Sequence, residues 1–103
     1  IKIKIIGYAD ERGFSDFARY SGVEIEDAKI DRKILPGMQM DNDLLGLLRA
    51  YNTFKYLENE LNKETLFIEN KSKLIWDVSS GGISSNENEQ IRKRKVEIII
   101  STE

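Results

Sequence analysis

From Leu44 onward, apolar residues recur at the spacing of a helix. Leu44, Leu47, Leu48, Tyr51, Phe54 and Leu61 follow one another at intervals of three, four and seven. That stripe predicts a helix running to about Asn62 with one face buried. Asp41 or Asn42, just before the stripe, supplies an N-cap. A helix with a single apolar face must pack against something, and the remaining patterned segments read as strands.

Ile1, Ile3 and Ile5 alternate with Lys2 and Lys4, a period of two that predicts a strand of about seven residues. Near the other end, "KVEIIIS" alternates around Val96, Ile98 and Ile100 and predicts a closing strand. Between them, "TLFIE" and "KLIWDVS" read as a hairpin or two short strands around "NKSK". The polar, glycine-rich "SSGGISSNENEQ" reads as a loop, with a helical turn near its end. Strand, long helix, strand and strand together imply an α+β sandwich, a sheet with helices on one face.

Residues 14–41 admit more than one reading. "FSDFARY" fits one helical turn capped by Ser15, and "VEIEDAKIDRKIL" fits a strand or a short helix before Pro36-Gly37 breaks the chain. The stretch is longer than an ordinary connection and is expected to be an insertion.

Composition narrows the chemistry. The 103 residues are 40% hydrophobic and 33% charged, as expected of one domain with its own core. The net charge of −2 gives no footprint for general nucleic-acid or anionic-membrane binding. With neither cysteine nor histidine, disulfides, thiol nucleophiles and thiolate metal sites are excluded, and the usual general base is missing. No stretch is apolar enough to cross a bilayer as a helix, and no signal peptide is evident. Residue 1 already lies in a strand pattern, so a chain cut from a longer protein is expected.

Three polar features stand out: Asp10 after the first strand, Asn42 with Arg49 on the long helix, and "RKRK" before the last strand. Seven helical residues turn through about 700°, so Asn42 and Arg49 lie about 20° apart. Arg49 sits about 140° round from Leu44 and borders the apolar stripe. Gly46, one turn earlier, costs roughly 0.5–1 kcal/mol against alanine, and a bare backbone beside an arginine suggests room for something to lie there. Each feature alone has a plain structural reading: a turn aspartate, a cap, a solvated arginine, a charged strand end.

Together they resemble the OmpA-like peptidoglycan-binding family. Its strand is followed by G-H-T-D-x-x-G, its main helix opens with N-x-x-L-S-x-x-R-A, and its last strand begins with N-R-R-V-E-I. Here "GYADERG" supplies Gly7, Asp10 and Gly13. "NDLLGLLRA" supplies Asn42, Leu45, Arg49 and Ala50, and "KRKVEI" supplies Arg94, Val96, Glu97 and Ile98. The departures are Tyr8-Ala9 for His-Thr, Gly46 for serine, Lys93 and Lys95 for Asn and Arg, and a long stretch from Asp10 to Asn42.

The resemblance implies a βαβαββ two-layer sandwich with a mixed sheet, whose leading strand and helix are missing from this chain, and a single domain over 1–103. It implies non-catalytic binding of the peptide stem of peptidoglycan, above all the zwitterionic end of diaminopimelate. Asp10 would accept from the ammonium and Arg49 would grip the carboxylate through paired N–H bonds, with Asn42 and Arg94 in or beside the pocket. No metal, cofactor or nucleic acid is implied. The parent would be a membrane-attached protein of the periplasm or cell envelope: a porin tail, a lipoprotein or a stator subunit. The main alternative keeps the fold as a protein-interaction or homodimerisation module. Less favoured are a carboxylate-pair enzyme using Asp10 and Glu11 and a divalent-cation site at Asp10, Glu11 and Asp77.

Overall fold

In a computed structural model of the chain, residues 1–9, 17–83 and 95–102 are described. Strand β1 (Lys2–Ala9) is followed by helix α1 (Asn42–Leu61), a short helix α2 (Thr65–Asn70), a single 3-10 turn (Lys71–Lys73), and strands β2 (Ile75–Ile83) and β3 (Val96–Ser101). The sheet order is β2-β1-β3, with β2 parallel and β3 antiparallel to β1. A small two-layer α+β fold results, with a mixed three-stranded sheet.

The period of two in β1 does what it predicts. Ile3, Ile5, Gly7 and Ala9 are buried under α1, while Lys2, Lys4, Ile6 and Tyr8 face the other side and stay half-buried. From α1, Leu44, Leu47, Ala50 and Phe54 meet Ile3, Ile5 and Val78 in one core. Phe54 stands edge-on to Trp76, with ring centroids 5.0 Å apart. At the register shift after Gly7, β2 carries an extra residue, Gly81, where a Cβ would run into the Tyr8 ring.

Two expectations need correction and one open alternative is resolved. "TLFIE" is helix α2, not a strand: Ile68 donates to the Glu64 carbonyl at 3.1 Å, and Asn70 Nδ2 to that of Leu66 at 2.7 Å. Nor does it have a strand to pair with, since β2 runs parallel to β1 on one side. On the other side the Val78 amide donates to the Lys29 carbonyl at 2.9 Å and Ile30 bridges Val78. "SSGG" is not loop but the continuation of β2. The helix cap, left open between two residues, is Asp41, whose Oδ1 accepts from the Leu44 amide at 2.7 Å.

The long stretch before α1 proves structural. Tyr20 pairs with Met38 and Ile25 with Ile34 through backbone hydrogen bonds of 2.8–2.9 Å, in an extended loop-back closed by Pro36-Gly37. Gly37 has φ +89°, which glycine adopts without a side-chain penalty. Ile30 and Ile34 drop into the core, Ile34 with no exposed surface. The Ser15-capped turn, the loop before β3 and its helical turn lie outside the described residues.

Candidate functional site

The site forms where β1 ends beneath the first half of α1. Gly7 and Gly46 cross with their backbones in contact, so that a Cβ on Gly46 would stand 2.6 Å from the Gly7 carbonyl oxygen and 2.7 Å from Ser80 Oγ. The space beside Arg49 that Gly46 suggested is therefore filled by β1 itself. One turn further along the helix, Arg49 is half-buried and its Nη1 donates to the Tyr8 carbonyl at 2.8 Å. The Tyr8 amide in turn donates to the Lys95 carbonyl at 2.9 Å. Helix, strand end and the approach to β3 thus converge on one residue, Tyr8.

This arrangement leaves Arg49 with spare capacity. A guanidinium carries five N–H donors in a rigid fork. Among the described residues, Tyr8 O is the only acceptor that its side chain bonds. Among those residues the fork formed by Nε and Nη2 engages none. A partly desolvated arginine held by one carbonyl and open along one fork is suited to a carboxylate.

Asn42 is not the cap but the first residue of α1, and its Oδ1 is buried without a hydrogen-bond partner among the described residues. Its position is about 10 Å below Arg49 along the helix axis. Asp10 and Arg94, the other two expected ligands, lie outside the described residues. Their chain neighbours Ala9 and Lys95 are described: Tyr8, two residues before Asp10, joins both Arg49 and the residue after Arg94 by backbone contacts.

Tyr8 turns its side chain to the sheet face away from α1. Burial and a hydrogen bond to Glu97 push its phenol up from the ordinary tyrosine range, against the opposing pull of the Lys95 ammonium. That ammonium lies 5.3 Å from the ring centroid. Its carbonyl, not its phenol, faces Arg49. Among the described residues no group of acids has the arrangement to hold a metal ion. Sequence reasoning named Asp41 as one of two adjacent caps but missed the contact of Gly46 with Ser80, which required the helix-to-sheet distance.

No family model, curated protein or solved structure matches this chain.

Proposed function

We propose that this chain is an OmpA-like domain that binds the peptide stem of peptidoglycan without catalysis and anchors a larger envelope protein to the wall. The observation that carries the reading is Arg49: half-buried, held by Tyr8 O, and with no acceptor on Nε or Nη2 among the described residues. The element order also supports it. A parallel pair joined through a helix, with an antiparallel last strand beside the first, matches the later part of a βαβαββ sandwich.

In this reading Arg49 takes the carboxylate of the diaminopimelate end, and Asp10 takes the ammonium on the same carbon. Asn42 is too far along the helix for that group, and its Oδ1 is buried, so it takes no part in gripping the zwitterion. Arg94 adds a cation beside Lys95. Charge-assisted hydrogen bonds contribute roughly 1.5–3 kcal/mol each, so two or three give a dissociation constant on the order of micromolar to millimolar once association entropy is subtracted. Many copies on one polymer strengthen that attachment through effective concentration. The setting is the periplasm, with the parent held at a membrane by another region.

The test is co-sedimentation with purified sacculi for the wild type, Asp10→Ala and Arg49→Ala, each checked for folding by circular dichroism. Pelleting by the wild type and its loss in both variants supports the clamp. A folded wild type that stays in solution, and shows no stem-peptide binding even at millimolar ligand, rejects it. The domain would then be read as an interaction module, a reading favoured by the bare isoleucines of β3.

A further inference from the structure

A second hollow lies towards the other end of α1 from Arg49. On the helix it is lined by Glu58 and Asn62, about 14 and 20 Å along the axis from Arg49. The chain leaves α1 through α2 and the 3-10 turn, neither of which buries a residue. The space between the end of α1 and the start of β2 is thus left unfilled, as a cavity of about 540 Å³. That volume lies within the roughly 300–1,000 Å³ of small-molecule sites. Phe67, Leu74 and Trp76 give it apolar walls, and Lys29 and Lys71 bring two ammonium groups to the lining.

The polar groups of this cavity lean towards donors, and most are unused. Among the described residues Lys71 has no acceptor, and the Ser72 hydroxyl, the Asn62 side-chain amide and the Trp76 indole N–H have no partner. Lys29 is the exception: its ammonium lies 3.7 Å from Asp27 Oδ1 and 5.4 Å from the Phe54 ring centroid. Glu58, the one described carboxylate in the lining, is engaged by Lys55 at 3.2 Å. The charge left over in the cavity is therefore positive, and it stands beside an aromatic wall. That wall is fixed from behind, because Trp76 meets Phe54 edge-on and Phe54 is buried. A flat apolar body carrying one carboxylate matches both halves.

We propose that this cavity binds a small organic anion, an aromatic ring on a short chain that ends in a carboxylate. The ring lies against Trp76 and Phe67. The carboxylate accepts from Lys71, with Asn62 or Ser72 as a second donor. Lys29 adds attraction from further off, its ammonium being shared with Asp27. The ion pair is weakened by salt, whereas burial of the ring is not. With about a dozen non-hydrogen atoms, such a ligand reaches a dissociation constant on the order of millimolar. The cavity shares no residue with the Arg49 clamp, so either reading can fail without the other.

Trp76 is the only tryptophan of the chain, so its emission reports on this cavity directly. Phenylbutyrate should change that emission saturably, with a midpoint on the order of millimolar, and should shift the single indole N–H resonance. Phenylbutanol, which lacks the charge, should bind about tenfold more weakly. Phenylbutylamine, with the opposite charge, should bind more weakly still. Lys71→Gln should weaken phenylbutyrate binding by about the same tenfold factor. Lys63→Gln, at a lysine outside the lining, should leave it unchanged. Both lysines are exposed, so the circular dichroism of the two variants should match wild type. The absence of a saturable response up to tens of millimolar phenylbutyrate overturns the inference. So does equal binding of the alcohol or the amine, which would describe an apolar cleft without preference for an anion. A Lys71→Gln protein that binds phenylbutyrate as well as wild type overturns it too.

Discussion

Gly7 and Gly46 meet backbone to backbone: the carbonyl oxygen of Gly46 occupies the place where a Cβ on Gly7 would stand. This crossing sets how close α1 lies to β1, and hence allows Arg49 to reach the Tyr8 carbonyl. Glycine in the middle of a helix is normally a weakness of about 0.5–1 kcal/mol. Here the close contact outweighs it. Gly46→Ser, which adds a side chain at this crossing, is expected to lower stability by about 1–3 kcal/mol through overpacking. Gly7→Ala should cost more, since both of its nearest obstacles are main-chain atoms. Urea midpoints of the two variants, compared with wild type, check the order; a Gly46→Ser protein as stable as wild type would show that the crossing is loose.

Asp41 and Asn42 are neighbours with opposite expectations. Removing the cap in Asp41→Ala frees the Leu44 amide and should cost about 1 kcal/mol. Asn42→Ala removes a buried oxygen with no described partner, so its stability should be unchanged or slightly higher. Thermal melts of both variants make the comparison. If Asn42→Ala were the more damaging of the two, its Oδ1 would have to be satisfied in the folded protein.

The loop-back before α1 should behave as core. Ile34 has no exposed surface, and Ile34→Ala is expected to cost about 2–4 kcal/mol. Val23, 77% exposed in the same stretch, should tolerate alanine within about 0.5 kcal/mol. Equal effects at the two positions would mean that the stretch does not hold the main core together.

Stability should fall in strong base. The phenol of Tyr8 is pushed up by burial and then by Glu97, so the folded state holds this proton more tightly than the unfolded chain. No difference is felt at neutral pH, where both states are protonated. Folded stability is then lost as pH rises from about 10 through the raised value. The Lys55 ammonium is also raised, chiefly by its hydrogen bond to Glu58. Its contribution is present below the ordinary lysine value, about 10.4, and is lost as pH climbs through the raised one. The two effects have the same sign. Chemical denaturation at neutral and strongly alkaline pH should show a smaller loss for Tyr8→Phe than for wild type; an identical loss would assign the effect elsewhere.

The sequence by itself determined the elements whose patterns are local. The alternation of β1, the stripe and cap of α1, and the strand at Val96–Ser101 follow from periods of two and 3.6 residues, which each segment carries independently of the rest. Arg49 was legible in the same way, as a cation at the border of a buried face. Tertiary structure alone decided the questions that depend on a neighbour. "TLFIE" has strand-like residues but finds the neighbouring strand β2 flanked on both sides, by β1 and by Lys29 and Ile30. Gly46 suggested open space, yet a glycine marks a close approach without saying what approaches. Val96, Ile98 and Ile100 alternate as a buried face would, but α1 covers β1 and β2 and leaves the last two isoleucines exposed. Periodicity specifies which residues share a face; whether that face is covered depends on where the next element packs.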